Sequence, residues 1–327
     1  MIRNSAFLLI FLLAIAVAAN AEKSSSPANK PNPQSVKVEK NETQKPQPKN
    51  KTKEDKTPDK KQEQKALPKL TETDFYKKSD YILKTYVDKD GKVDYIRLRR
   101  KRIELYEATS ALKELPAALH ISWSDNEKKA FWLNAHNILT LKLIVDNYPI
   151  KSNWLASINY PRNSIKQIPG AREKTLFRVM GFQYTLKEAE EVLLEKFDDV
   201  RICFGLCYGT VSGGILRNEV YSPENIDKQL DEQTNKYLAK PENFKFNNKT
   251  VYLPTIFKMK NFKEAFVNSE YSKTKKFREK DNNIHIKACL NFILLHIPQE
   301  DGKSLQSSDL NVDYNLYNWQ LNEQSYK

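Results

Sequence analysis

Residues 124–149 read SDNEKKAFWLNAHNILTLKLIVDNYP, and everything else in the chain is best placed relative to them. Ser124 with Glu127 forms a capping box, and Pro149 marks the far end, so the spacing predicts one helix between them. Trp132, Leu139 and Leu143 fill one side of that helix, while Phe131, Ile138, Leu141 and Val145 fill the other. A helix that is apolar all round belongs at the centre of a core. Asn134 and Asn137 lie about 60° apart on it, so their amides share a face and must find partners once buried. Pinning a neighbouring loop is the preferred account of the two amides, and lining a substrate cleft is the alternative. His136 points the other way and reads as a core histidine before a catalytic one.

Working back toward the N-terminus, Leu70–Val87 and Asp94–Leu115 read as two helices separated by Asp88-Lys89-Asp90-Gly91, a turn signal. A calcium loop is excluded there: with Gly91 as its glycine, Tyr86 and Arg97 would occupy ligand positions that require acids. The run RLRRKR at 97–102 suggests nucleic-acid binding until it is set on a helix. Arg97, Arg100 and Lys101 then lie opposite the stripe of Tyr95, Leu98 and Leu105, which is a solvated face. Arg102 falls near the stripe and is expected to be partly buried against an acid.

Working forward, residues 174–184 (KTLFRVMGFQY) predict a hairpin turning at Gly181. Thr185 then caps a helix, Leu186–Phe197, that carries Glu188, Glu190 and Glu191. The next segment, RICFGLCYGTVSGGILR at 201–217, holds four of the chain's eight glycines: 205, 209, 213 and 214. It reads as a strand entering a Gly-rich loop whose amides approach a ligand. Ile215 stands where a phosphate loop needs lysine, and Ser212 lacks the Gly-x-Ser-x-Gly frame of a nucleophile elbow. Cys207, Ser212 and Glu190 are the candidate catalytic residues. A catalytic thiol needs an adjacent base, however, and the four histidines (120, 136, 285 and 296) are distant along the chain. Cys203 and Cys207 therefore read as buried and inert. No zinc-type ligand spacing occurs, so neither a metal nor a cofactor is expected.

The ends of the chain differ from this middle. The full chain has 327 residues and a formal charge of +13, and three cysteines are too few for a disulfide scaffold. Arg3, the apolar run from Ala6 to Ala19 and the Ala19-Asn20-Ala21 site predict a signal peptide, residues 1–21, and a secreted or luminal protein. Fourteen apolar residues are too few to cross a bilayer, so no transmembrane span is expected. Residues 22–68 contain twelve Lys and seven acids without one aromatic, the composition of a disordered basic linker. A soluble spacer is the preferred reading, and an arm for an anionic surface or glycan is the functional alternative. Asn41, Asn50 and Asn248 open glycosylation sequons. An exported chain meets little nucleic acid, so none is expected as partner. Residues 69–327 carry nearly all the aromatics and no composition break, which predicts one domain.

Several blocks together carry a resemblance: AFWLNAHNILTLKLI, SIKQIPG, VMGFQYTLKEAEEVLL, the Cys-Gly loop, VYSPENIDKQL and VDYNLYNWQLN. In order and spacing, from roughly residue 72 to 324, they resemble the family called domain of unknown function 547. That family is uncharacterised, so the resemblance implies architecture more than activity. In many members the helix block ends in Glu-His and the loop reads Arg-Ile-His…Cys-Gly…Ser-Cys-Pro, which would imply thiol chemistry. Here Glu190 matches, but Glu191, Cys203, Tyr208 and Gly213-Gly214 stand where the His, His, Cys and Cys-Pro are usual, and Asn318-Trp319 replaces Asp-Trp. Asn134, Asn137, Gly209, Ser212 and Arg217 are retained, and these are the candidate binding residues.

The expectation is a helix-rich α+β domain with a small sheet, exported on a basic tether. It binds at a cleft beside the Gly-rich loop, or else acts as a hydrolase or transferase through Cys207 or Glu190.

Overall fold

In the computed structural model, Ser124 Oγ accepts from the Glu127 N–H at 3.2 Å, and the Glu127 carboxylate accepts from the Ser124 N–H at 2.9 Å. This box opens the central helix, Asp125–Asn147, in which every residue from Ala130 to Leu141 is buried. The structure describes residues 67–247, 249–274, 277, 283–307 and 310–325. The expected signal peptide, the expected linker apart from its last two residues, and the three sequon asparagines lie outside the described residues.

The described chain is a helix-rich α+β domain with two small sheets. Five helices pack around the central one: Asp74–Tyr86, Tyr95–Arg100, Arg102–Glu114, Leu186–Lys196 and Ile226–Leu238. Two aromatic clusters fill the space between elements. One joins Phe75, Trp123, Phe131 and Trp132 with His120. The other joins Phe204 with Tyr237, Phe257 and Phe292, and Phe257 in turn with Phe266. No helix among the described residues is long and apolar enough to cross a membrane.

β1 (Phe177–Val179) and β2 (Phe182–Tyr184) form the antiparallel hairpin that the turn signal predicts, with Met180 and Gly181 both at positive φ. Thr185 caps the following helix through the Glu188 N–H, and Glu188 returns the bond to the Thr185 N–H. The second sheet pairs β3 (Lys245–Asn247) antiparallel to β4 (Thr250–Leu253), and β4 parallel to β5 (Asn311–Tyr314).

Two expectations are corrected. Asp94–Leu115 is not one helix: Lys101 leaves the helical region (φ −107°, ψ 28°) and separates Tyr95–Arg100 from Arg102–Glu114. The break re-phases the second helix, so Leu105, Ala108 and Leu112 face the core while Arg102 is exposed rather than tucked against the stripe. The segment 201–217 is not entered by a strand either. It begins with one helical turn, Ile202–Gly205, started where Asp199 Oδ1 accepts from the Arg201 N–H at 3.1 Å. It then runs irregularly, with a single bridge, Thr210 to Leu321.

Candidate functional site

The Gly-rich loop lies directly on the central helix, and the two amides hold it there. Asn137 donates from Nδ2 to Gly205 O at 2.9 Å and accepts the Cys207 N–H at 2.8 Å. Asn134 makes the same paired contact with Tyr221, donating to its carbonyl and accepting its N–H, both at 2.9 Å. Each amide thus does for an irregular strand of backbone what a sheet neighbour would do, satisfying one donor and one acceptor in a dry interior. What these candidate binding residues bind is the protein's own loop.

The glycines serve the same packing. Gly209 sits at φ +65° against Ile144, and a Cβ there would overlap that side chain. A Cβ on Gly214 would collide with the carbonyl oxygens of Leu206 and Phe204. Both positions need hydrogen because protein, not ligand, comes close.

Cys207 is fully buried. Its Sγ accepts from the Gly209 N–H at 3.3 Å and faces Asn322 Nδ2 at 4.0 Å, and neither is a base. Burial pushes its thiol up to about 11, against a smaller lowering from the Gly209 N–H. Cys203 and Cys289 are also free, buried and pushed well up by burial. Cys289 contacts His285 Nε2 at 3.3 Å within its own helix, remote in sequence from the loop.

Ser212 is equally occupied: its Oγ accepts from the Asn318 N–H at 2.9 Å and its carbonyl accepts from Tyr237 Oη at 2.9 Å. Arg217 is spent on neighbours, donating to Glu219, to Glu232 at 3.0 Å and to the Gln229 carbonyl.

Glu190 is 3% exposed, and both its oxygens are taken. Oε2 accepts from Arg172 and from Tyr208 Oη at 2.7 Å, and Oε1 accepts from Asn261 Nδ2 at 3.1 Å. The Arg172 guanidinium lies 4.0 Å from the Tyr208 ring centroid, so cation, phenol and carboxylate form one unit. Burial and then Glu190 hold the Tyr208 phenol well above its usual range. Glu191, one residue on, is half-buried and pairs with Lys187 at 3.9 Å.

His136, wholly buried, faces the same unit, its ring 6.2 Å from that of Tyr208. Nδ1 meets Asn137 Oδ1 at 3.4 Å, while Nε2 has no partner among the described residues. Burial first, and then the Arg172 charge, hold its pKa down to about 4.

Tyr208 and Arg172 of this unit line a small pocket of about 210 Å³, together with Lys166, Glu173 and Trp319. Lys166 stands 4.8 Å from the Trp319 ring centroid and has no carboxylate partner among the described residues. A larger pocket, about 750 Å³, opens beside Lys129 and Arg201. Two of its cations are already engaged, Lys129 by Asp199, and Arg201 by Asp199, Asp227 and Asp231, and Lys196 lines it as well. Among the described residues no group of three or more His, Cys, Asp or Glu is arranged to hold a metal.

Sequence reasoning passed over Arg172 and Asn261, because nothing local marks them. For Lys166, Trp319 and Asn322 the signal was present, since all three lie inside the blocks that carry the resemblance.

A helix-rich α+β domain whose Gly-rich loop is clamped to a buried central helix is thus the class that fold and site define. Residues 121–238 match the family model described as "Protein of unknown function, DUF547", a stretch running from just before the central helix through the Gly-rich loop to Leu238. No curated protein and no solved structure matches the chain.

Proposed function

We propose that this domain binds a small organic anion, with a flat apolar part, in the pocket beside the Gly-rich loop, and that it does so without thiol chemistry. The observation that carries the reading is Lys166, a cation 4.8 Å from the Trp319 ring centroid, in a pocket that both line with Tyr208 and Arg172. An aromatic wall with a nearby ammonium favours a ligand that can stack and carry a carboxylate or phosphate. The hydrolase alternative is weakened by the same cluster. Tyr208 stands where the resemblance places a cysteine, and its phenol, with Arg172 and Asn261, occupies the carboxylate that would act as acid or base.

Titration calorimetry with benzoate and with inorganic phosphate tests it. Benzoate should bind the wild type, and Lys166→Ala and Trp319→Ala should each weaken binding at least about fivefold. Binding unchanged in both variants, or no binding of either anion, breaks the reading. Turnover of an ester that survives in Tyr208→Phe and vanishes in Cys207→Ser would replace it with the thiol enzyme. We also propose that the chain is exported after cleavage before Glu22, a reading supported by the Ala19-Asn20-Ala21 site. N-terminal sequencing of the protein recovered from the medium checks this.

A further inference from the structure

The segment from Asn147 to Arg172 contains no acid in 26 consecutive residues, yet it holds Lys151, Arg162, Lys166 and Arg172. Within it, Trp154 is 74% exposed, Leu155 57% and Ile158 70%. Apolar side chains exposed singly are ordinary on a protein surface, but three within five residues are not. They sit on one short helical stretch: the Ser157 N–H donates to Asn153 O at 2.9 Å, the Ile158 N–H to Leu155 O at 3.4 Å, and the Tyr160 N–H to Ala156 O at 2.9 Å.

The display is held in place from within. Gln167 is buried, accepts the Asn153 N–H on Oε1 at 2.7 Å, and donates from Nε2 to Tyr160 O at 3.2 Å and Pro161 O at 3.0 Å. An amide that fixes the backbone while Trp, Leu and Ile face water describes a surface built to meet something. Of the acids beside it, Asp146 pairs with Lys142, Glu323 accepts from Tyr148 and from Asn163 at 2.9 Å within the segment, and Glu173 follows Arg172.

We propose that the segment 151–162 docks on an anionic membrane surface, with Trp154, Leu155 and Ile158 entering the interfacial layer and Lys151 and Arg162 meeting lipid headgroups. Arg172 is spent on buried Glu190, but the exposed Lys151 and Arg162, with Lys166, leave this acid-free stretch positive, and that charge complementarity commits it to a negative surface. The apolar triplet framed by Lys and Arg is the pattern of an element lying in the interface rather than spanning it. A tryptophan in that triplet suits the headgroup boundary, where an amphipathic ring is favoured over either neighbouring phase.

The test is co-sedimentation of the full chain with vesicles of phosphatidylcholine alone and of phosphatidylcholine with phosphatidylserine. Wild type is compared with Trp154→Ala/Leu155→Ala/Ile158→Ala and with Lys151→Ala/Arg162→Ala, so anything contributed by residues 1–66 is common to all three. The wild type should favour serine-containing vesicles, and the apolar triple variant should bind them at least about tenfold more weakly. The double charge variant should lose about fivefold per cation on those vesicles alone, and high salt should mimic it. All five side chains are exposed, so unchanged melting temperatures confirm that the variants are folded. Equal sedimentation of wild type and triple variant would overturn the proposal, as would failure of the wild type to bind either vesicle. A wild type that self-associates in velocity sedimentation while the triple variant is monomeric would make a second copy the occupant, and would equally overturn it.

Discussion

The Gly-rich loop 201–217 and the segment 147–172 are both irregular, and both are held by side-chain amides rather than by sheet neighbours. Asn137 grips Gly205 and Cys207 in the first, and Gln167 grips Asn153, Tyr160 and Pro161 in the second. Around the first Cys207, Glu190, Tyr208 and Ser212 are buried and already hydrogen-bonded, whereas the second turns Trp154, Leu155 and Ile158 outward. The same device serves opposite ends. Where apolar side chains face in, the amide completes a core; where they face out, it presents a surface. Chemistry-bearing residue types in the loop are thus poor guides to function here, and exposed apolar ones in the outer segment are better guides.

Acid should separate the two regions most strongly. His120 lies just before the central helix and His136 within it, and burial holds each down to about 4 from 6.5. Trp132 Nε1 also donates to His120 Nε2 at 3.1 Å, a bond that protonation there removes. Because the folded state disfavours the proton, stability is full above about pH 6.5 and is lost as pH falls toward 4, by about 3 kcal/mol for each histidine. Urea midpoints at descending pH should fall across that window, and His136→Gln should flatten the slope. A flat midpoint would mean that water reaches the inner region.

Next in size is Gly214→Ala, whose added methyl meets backbone oxygens that cannot swing away. We expect a loss of about 3 kcal/mol in chemical denaturation. A wild-type midpoint would show that the loop has room to relax.

The two amides give the direct comparison. Asn137→Leu strands a buried carbonyl and a buried N–H, so about 2 kcal/mol should be lost globally. Gln167→Leu should cost about 1 kcal/mol, because water reaches the freed groups, and should show as faster proteolysis within 151–162 at a nearly unchanged melting temperature. If Gln167→Leu proves the more damaging, the outer segment belongs to the core after all.

The smallest expected effect is at Cys207. With the thiol raised to about 11 and no water contact, native-state alkylation by iodoacetamide at neutral pH should run at least about a hundredfold slower than with free cysteine. Labelling that outpaces free cysteine would reopen the inner loop as an active site.

Sequence and structure agree where a signal is satisfied within a few residues. Ser124 with Glu127, Thr185 with Glu188 and the turn at Gly181 all close their bonds locally, so the central helix, the helix from Leu186 and the hairpin were legible in advance. That Asn134 and Asn137 share a buried face was equally legible, since it follows from helical geometry alone. What they hold was not, because Asn137 reaches Gly205 and Cys207, and Asn134 reaches Tyr221, across 68 to 87 residues of chain. The segment 201–217 read as a strand because its apolar residues and glycines suit one. Its backbone groups were claimed instead by Asn137 and by a helical turn, a competition that period and propensity do not record. Arg102 went astray for a related reason: the break at Lys101 shifts every later residue around the helix.

The sequence by itself therefore determined the central helix and the helix from Leu186 with their caps, the hairpin and the burial of the central element, since each depends on neighbours within a turn or two. Only the tertiary structure decided that Glu190, Arg172 and Tyr208 would neutralise one another, that β4 would pair in parallel with β5, and that Trp154, Leu155 and Ile158 would be left facing water. Such outcomes depend on which distant groups meet when chain entropy is offset by burial, and a local pattern carries no information about that meeting.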